Sequence, residues 1–229
     1  NFETYWAFLR QADGALVSLD WSGDTNVNFT VDINASGQIA GGGNNQGWVR
    51  QTNGTFVPFV TPGYQVNTAW GINDQGTVVG VAWPGFFDTP NGLVHSLSNG
   101  TSFIWNYPGA AQTTLYGINN RGDIVGEFKP NLLSANVPFV RWADGSTQVL
   151  DFPGLSGVRV YDISDDRVVV GRYKDTATKN RSFYATPSRA TGTKAYTLGH
   201  GDIRPVYANG ALGLKIGRAS CKERVSLNV

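Results

Sequence analysis

Hydrophobic and polar positions recur along the chain with a period of about 45 residues. The clearest marker is an isoleucine followed by a short polar turn and then by small and β-branched apolar residues that end on glycine. Its four copies occupy residues 32–41, 71–80, 117–126 and 162–171, and their isoleucines Ile33, Ile72, Ile118 and Ile163 are 39, 46 and 45 residues apart. A fixed period of this length is typical of propellers and solenoids, whose neighbouring units bury each other's faces.

A second marker runs in phase with the first and indicates five units. It is an aromatic or large apolar pair, found at Phe8-Leu9, Trp48-Val49, Leu93-Val94, Phe139-Val140 and Phe183-Tyr184. An Asp-Gly or Asn-Gly pair follows each of the first four copies, as in a tight β-hairpin. The units therefore begin near residues 6, 46, 92, 137 and 182, and each contains four short strands. In the second unit we predict these strands at 47–51, 55–60, 67–73 and 77–83.

The turn after each repeated isoleucine explains why Asn and Gly recur at one spacing. Asn73 can cap the bend with its side chain, and Gly76 can adopt the left-handed conformation that strains residues with a Cβ. Arg167 replaces this glycine in the fourth copy, which predicts either a different turn or about 1 kcal/mol of strain. The repeat-turn residues are Asn34, Gly37, Asn73, Gly76, Asn119 and Gly122.

The pattern as a whole predicts an all-β fold. Residues 77–82 are apolar on both faces of the expected strand, as in a sheet packed between two other sheets. We predict a single domain over residues 1–214, a β-propeller of about five four-stranded antiparallel blades. A β-solenoid is the alternative, although its units are usually shorter.

The repeated motif resembles the HAF family of bacterial extracellular repeats. That family has an aromatic-Leu pair, a Gly turn, a Pro-Gly corner and the motif Gly-Ile-Asn-x-x-Gly-x-Ile-Val-Gly, which residues 71–80 and 117–126 match most fully. The likeness extends from Phe8 to about Gly171, but Trp6-Ala7-Phe8 and Val137-Pro138-Phe139 stand where the family has His-Ala-Phe. The resemblance implies an exported, surface-associated propeller and implies no reaction.

Composition excludes some partners and favours a location outside the cell. The formal net charge is +1 and the basic residues are scattered, so a phosphate-binding stripe is absent and nucleic acid is not an expected partner. Apolar runs are too short for a membrane-spanning helix, so no membrane span is expected. The chain contains no Met and a single cysteine, Cys221, which suits an oxidising exterior. We expect an extracellular or cell-surface protein, and the lack of Met even at position 1 indicates a processed or incomplete product whose signal peptide, if it had one, is gone.

The last residues differ in character from the repeats. Residues 215–225 resemble the in-frame translation of a sequencing-adapter oligonucleotide. We therefore expect residues 215–229 to lie outside the fold, and we assign no chemistry to Cys221. A genuine basic tail is the alternative.

Few residues form a pattern that indicates catalysis or metal binding. His95 and His200 have no histidine or cysteine at ligand spacing. Asp162, Asp165 and Asp166 lack the alternating ligands of a calcium loop. A nucleophile elbow, a P-loop and a dinucleotide fingerprint are all absent. We therefore predict a non-enzymatic protein with no catalytic residue, no cofactor and no metal.

Tryptophans and glycosylation sequons suggest contacts with carbohydrate. Trp48 and Trp70 occupy strand positions that packing between blades explains, whereas Trp21, Trp83 and Trp105 fall at strand ends and are expected to be more exposed. Exposed indole rings of this kind could stack on a polysaccharide. The candidate glycosylation sites are Asn28, Asn34, Asn53, Asn99 and Asn180.

The leading functional hypothesis is a structural or adhesive protein that assembles into a homo-oligomer or filament. The N-terminal segment, with Asn1, Phe2, Tyr5 and Trp6, could pair with an exposed strand edge of a neighbouring copy. Alternatively, this segment closes its own ring by pairing with the last blade. A glycan-binding, lectin-like propeller is the second hypothesis, and a propeller glycoside hydrolase or lyase is the third.

Overall fold

The computed structural model describes residues 7–19, 29–152, 154–175 and 179–185, together with the backbone of residues 186–187 and of strands at 196–199, 203–208 and 211–216. These residues form twenty β-strands and no α-helix. None of them belongs to a helix long and apolar enough to cross a membrane. The N-terminal segment with Asn1, Phe2, Tyr5 and Trp6 lies outside the described residues, as do Asn28, His200 and Cys221.

Sixteen of the strands build four sheets of four strands each. The first sheet contains β3 (Phe29–Ile33), β4 (Ile39–Gly43), β5 (Gln46–Arg50) and β6 (Phe56–Phe59). The second contains β7 (Val66–Ile72), β8 (Thr77–Trp83), β9 (Asn91–Ser96) and β10 (Thr101–Ile104). The third contains β11 (Gln112–Ile118), β12 (Ile124–Lys129), β13 (Val137–Arg141) and β14 (Thr147–Val149). The fourth contains β15 (Ser156–Ile163), β16 (Val169–Lys174), β17 (Asn180–Pro187) and β18 (Tyr196–Gly199).

Two antiparallel hairpins flank the four sheets. The first pairs β1 (Phe8–Arg10) with β2 (Leu16–Ser18). Its neighbouring residues Ala7 and Leu19 pack on Trp48 of the first sheet. The last pairs β19 (Ile203–Ala208) with β20 (Ala211–Ile216), which ends two residues into the segment expected to lie outside the fold.

The sheets are arranged as blades of a β-propeller, which confirms the predicted fold class. Within each sheet the strands follow chain order and pair antiparallel with their neighbours. Between sheets, the first strands lie side by side: β3 contacts β7, β7 contacts β11, and β11 contacts β15. The first strand of each blade is therefore the innermost, and the turns after the repeated isoleucines meet at one end of the propeller.

Packing between blades follows from apolar residues on both faces of a strand. Val78 and Val79 are adjacent in β8 and both are fully buried, although they point to opposite faces. Val78 packs in a cluster with Val49 of the first sheet, and Val79 packs in a cluster with Leu115 of the third. The second sheet is thus shielded from water by its neighbours on either side.

The number of complete blades and their boundaries differ from the prediction. The described residues contain four complete blades instead of five. Strands predicted at 47–51 and 55–60 are the last two of the first sheet, whereas those at 67–73 and 77–83 are the first two of the second. The predicted starts near residues 46, 92, 137 and 182 therefore mark the third strand of each blade, and the start near residue 6 precedes the first strand of the first hairpin. Each predicted unit that begins at a third strand contains the last two strands of one blade and the first two strands of the next. The strands outside the four blades form a two-stranded hairpin at each end of the described chain.

Candidate functional site

The innermost strands each carry a β-bulge at the same place in the repeat. Pairing with the second strand of the sheet skips one residue, which is Val31 in β3, Trp70 in β7, Tyr116 in β11 and Tyr161 in β15. A bulge bends its strand and changes the direction of a side chain. Three of the four redirected side chains are aromatic.

The four bulge residues line one cavity of about 430 Å³ among the inner strands. The rings of Trp70 and Tyr116 meet edge to face with centroids 6.0 Å apart, and the rings of Tyr116 and Tyr161 do so at 6.0 Å. We call this space the axial cavity. The other residues in its wall are Asp32, Gly117, Arg159 and Asp162.

The two carboxylates in the cavity come from the residue that follows the bulge in the first and fourth blades. This position holds Asp32, Gly71, Gly117 and Asp162 in the four blades. Glycine is required at position 117, because a Cβ there would lie 2.5 Å from Oδ1 of Asp162. The absence of a side chain on one blade therefore makes room for the carboxylate of the next.

Asp32 joins the first two blades. Its Oδ1 accepts a hydrogen bond from the amide of Ile33 at 2.8 Å, and its Oδ2 accepts one from the amide of Ile72 at 2.8 Å. Burial raises the pKa of Asp32 above its ordinary value, and the two amide hydrogen bonds oppose that shift.

Asp162 has fewer partners than Asp32. Its Oδ1 accepts a hydrogen bond from the amide of Ile163 at 2.8 Å. No donor among the described residues bonds its Oδ2, and the side chain is accessible from the cavity. Asp162 is exposed to solvent, but the protein atoms around its carboxylate displace enough water to raise the pKa of Asp162 to about 6, with the carboxylate of Asp32 contributing in the same direction.

A buried acid supports the cavity wall between the third and fourth blades. Glu127 is 2% exposed, and its Oε2 lies 2.8 Å from Nδ2 of Asn136 and 4.0 Å from Nε of Arg159. Burial raises the pKa of Glu127, while the Arg159 guanidinium opposes the shift. Burial and the Glu127 carboxylate together raise the pKa of Tyr116 to about 12.

The predicted repeat-turn residues lie at one end of this cavity. Gly37, Gly76 and Gly122 adopt φ values of +79°, +72° and +84°. In each turn the asparagine side chain accepts a hydrogen bond from the amide four residues later, as Oδ1 of Asn73 does from Thr77 at 2.9 Å. The same geometry recurs in three consecutive blades.

The asparagines also bond from blade to blade, which sequence reasoning did not anticipate. Nδ2 of Asn34 donates to the carbonyl of Asn73 at 3.1 Å, Nδ2 of Asn73 to the carbonyl of Asn119 at 3.2 Å, and Nδ2 of Asn119 to the carbonyl of Ser164 at 3.0 Å. All three asparagines are buried. We call this chain of hydrogen bonds the asparagine ladder.

A second, shallower space of about 280 Å³ lies over the asparagine ladder. Backbone amides of successive turns donate here to the side chain of the next blade: Ala35 to Asp74, Asp74 to Asn120, and Asn120 to Asp165, at 2.7–2.8 Å. Asp32 and Asp162 line both spaces, so the two carboxylates stand where the axial cavity meets the turns.

The predicted glycosylation sites have different surroundings. Asn53, Asn99 and Asn180 are exposed. Asn34 is buried and its Nδ2 donates within the asparagine ladder, so the fold leaves no room for a glycan on that nitrogen.

His95 packs in the interior. Its ring stacks on Phe59 with centroids 4.1 Å apart, its Nδ1 lies 2.8 Å from Oγ of Ser102, and burial lowers the pKa of the imidazole. Within the part of the chain that the structure describes, no group of three or more His, Cys, Asp or Glu side chains could hold a metal ion.

The tryptophans divide differently from the prediction. Trp48 is fully buried, as expected from its strand position. Trp70, which was expected to pack between blades, lines the axial cavity because of its bulge. Trp105 packs against Phe139 and under the guanidinium of Arg141, and Trp21 lies outside the described residues. The sequence gives one signal for the carboxylates of the cavity. The residue before the repeated isoleucine is Asp in the first and fourth copies and Gly in the second and third.

No protein-family model matches this sequence, and no curated protein matches it. Among solved structures, the chain is similar to selenomethionine-substituted virginiamycin B lyase from Staphylococcus aureus. The identity is 10%, the TM-score is 0.49, and the alignment covers 95% of this chain and 79% of that one. At this level the likeness assigns no residue and no reaction to the present chain.

Proposed function

We propose that this protein is a carbohydrate-binding β-propeller that works outside the cell, with the axial cavity as its binding site. The observation that carries the proposal is the convergence of three aromatic rings and two carboxylates in one cavity. The rings belong to Trp70, Tyr116 and Tyr161, and the carboxylates to Asp32 and Asp162.

This combination of side chains suits a sugar. Pyranose rings present an apolar C–H face that packs on an aromatic ring, and a rim of hydroxyl groups that needs hydrogen-bond acceptors. Ligand sites in proteins are usually concave, largely apolar and supplied with a few well-placed polar groups. Oδ2 of Asp162 offers an acceptor that no donor among the described residues occupies, and the neighbouring rings offer the apolar surface.

The extracellular location rests on the sequence. Residues 1–220 contain neither cysteine nor methionine, and the repeats resemble the HAF family of extracellular proteins. Exposed sequons at Asn53 and Asn99 are compatible with this location. An adhesive role for the protein would follow directly from binding a surface glycan.

Assembly into a filament stays a prediction. Its proposed contact uses Asn1, Phe2, Tyr5 and Trp6, which lie outside the described residues. Negative-stain microscopy of the full chain tests it. Extended polymers would support the filament, whereas isolated particles of one propeller's size would exclude it.

A glycan array tests carbohydrate binding, using the wild-type protein, Trp70→Ala and Trp83→Ala. Trp83 is a matched control, because it is a partly exposed tryptophan on β8 that does not line the axial cavity. We expect the wild type and Trp83→Ala to bind the same glycans and Trp70→Ala to lose them. Absence of any glycan signal, or full binding by Trp70→Ala, would contradict the proposal.

A glycoside-cleaving enzyme is the second candidate, and the pKa of Asp162 favours it. Glycosidases pair a carboxylic acid of raised pKa with an ionised carboxylate. Asp162, with a pKa raised to about 6, interacts electrostatically with Asp32 in the same cavity wall. Incubation of bound glycans with the wild type, followed by mass spectrometry, decides between the two. Products that require Asp162 would establish hydrolysis or elimination, and intact glycans would establish binding alone.

A further inference from the structure

Two carboxylates at equivalent places in the repeat have different roles. Both oxygens of Asp32 accept backbone hydrogen bonds, from Ile33 in its own strand and from Ile72 in the next blade. Asp162 keeps the bond to its own following residue, Ile163, but its Oδ2 has no donor among the described residues. Asp32 is therefore held by the fold, whereas Asp162 presents an oxygen to the cavity.

Charges around this oxygen leave the cavity wall negative. Asp32, Asp162 and Arg159 are the ionisable acidic and basic residues in the wall. The positive charge of Arg159 is offset by Glu127, whose Oε2 lies 4.0 Å from the Arg159 Nε and which does not line the cavity. Arg172 lies behind the wall, where its Nε donates to the hydroxyl of Tyr161 at 2.7 Å.

The aromatic rings, like the negative wall, favour a positively charged ligand. The face of an aromatic ring carries partial negative charge and attracts a cation within about 6 Å of the ring centroid. Trp70, Tyr116 and Tyr161 follow one another with centroids 6.0 Å apart at each step. A small cation in the axial cavity would lie among these rings and near Oδ2 of Asp162, which no donor among the described residues bonds.

We propose that the axial cavity selects ligands that carry an ammonium group, and that Asp162 is the residue that contacts this group. This inference rests on the proposed carbohydrate-binding function. The ligand class is then an amino sugar with a free amine. Asp32 acts as a positioning residue, because its hydrogen bond from the amide of Ile72 joins β3 to β7 beside the cavity.

Calorimetric titration at about pH 7 tests the proposal with two oligosaccharides that differ only in their nitrogen. One is a tetramer of β-1,4-linked glucosamine and the other is the N-acetylated tetramer. The proteins are the wild type, Asp162→Asn and Asp13→Asn. Asp13 is the matched control, because the same substitution removes one charge from an exposed hairpin outside the cavity.

We expect the wild type and Asp13→Asn to prefer the free amine by about tenfold or more, the usual size of one charge-assisted hydrogen bond. Asp162→Asn should lose this preference and retain its affinity for the N-acetylated tetramer. Equal binding of both tetramers by the wild type would overturn the selection for ammonium and leave carbohydrate binding intact. A preference that survives in Asp162→Asn would overturn the assignment of Asp162.

Tetramethylammonium separates failure of this inference from failure of the proposed function. It carries the cation without a sugar, and quenching of tryptophan fluorescence, with Trp70→Phe as reference, reports its entry into the cavity. If neither tetramer binds but tetramethylammonium binds in an Asp162-dependent manner, the cation site stands and the carbohydrate function is rejected. If neither the tetramers nor tetramethylammonium binds the wild type, both proposals are overturned.

Discussion

Arg167 in the fourth blade forms an ion pair with Asp123 in the third, with Nε 2.8 Å from Oδ2. Asp123 is fully buried, and it also accepts hydrogen bonds from the amide of Ala143 and from Nδ2 of Asn119. The guanidinium lies over the ring of Trp142, 4.7 Å from its centroid. One side chain thus neutralises a buried charge between two blades.

The same residue explains how the fourth turn survives without glycine. Arg167 has φ +64°, and its amide donates to the carbonyl of Ser164 at 2.8 Å, as the amide of Gly122 does to Asn119 at 3.1 Å. The expected alternative of a different turn is therefore wrong, and the strained backbone is observed. Contacts of the Arg167 side chain offset the cost of about 1 kcal/mol.

Arg167→Gly should destabilise the protein even though it removes backbone strain. The substitution leaves the carboxylate of Asp123 buried without its cation, which we expect to lower the free energy of unfolding by about 1–2 kcal/mol after allowance for the exposed side of the guanidinium. Urea unfolding measures this change. The double variant Arg167→Gly/Asp123→Asn is the control and should recover most of the loss. An Arg167→Gly protein as stable as the wild type would contradict the role of the ion pair.

The contribution of Asp123 should depend on pH. Burial alone would raise its pKa, but hydrogen bonds from Arg167, Ala143 and Asn119 outweigh burial and lower it. A lowered folded-state pKa gives stability that is present above the unfolded value near 4 and is lost as pH falls through the folded value. Asp123→Asn should therefore be less stable than the wild type at pH 7, and the gap should narrow at about pH 3. A gap independent of pH would show that ionisation of Asp123 contributes nothing.

The asparagine ladder predicts different effects of one substitution at two sites. Asn73→Asp keeps the Oδ1 acceptor for Thr77 but loses the Nδ2 donor to the Asn119 carbonyl and buries a charge. We expect a loss of about 2–3 kcal/mol in the free energy of unfolding. Asn53→Asp keeps the equivalent acceptor for Thr55 in an exposed hairpin, so its effect should stay within about 0.5 kcal/mol. Similar effects at the two sites would mean that the ladder does not stabilise the blades.

Asp162 should make the protein less stable at neutral pH than an asparagine would. Its folded-state pKa of about 6 is above the unfolded value, so the penalty exists above pH 6 and disappears as the pH falls toward 4. Asp162→Asn should therefore raise the melting temperature at pH 7.5 and have little effect at pH 4. Differential scanning fluorimetry across this range checks the sign. A lower melting temperature at pH 7.5 would indicate a structural role for Asp162.

The sequence predicts the blades well because their signals are local. The Asn-x-x-Gly turns and the apolar residues on both faces of β8 each depend on a few neighbouring positions. The blade boundaries were less predictable, because a periodic sequence does not mark which strand begins a sheet. Trp70 was predicted to pack between blades because a bulge depends on how two strands pair, and no residue type in β7 indicates it.

The two carboxylates of the cavity could not be predicted from the sequence for a related reason. Asp32 and Asp162 align with Gly71 and Gly117, and in sequence this looks like ordinary variation at a turn. Only the packing of the inner strands brings the two carboxylates to one wall, where the lack of a side chain at Gly117 leaves room for Asp162.

The proposed ligand site is built by inner strands of separate blades. A crystal structure of the protein with a glycan identified on the array tests it most directly. We predict that a sugar ring lies in the axial cavity against Trp70, with a polar group of the glycan within hydrogen-bond distance of Oδ2 of Asp162. A glycan bound on the outer strands, with the axial cavity unaltered, would contradict the account.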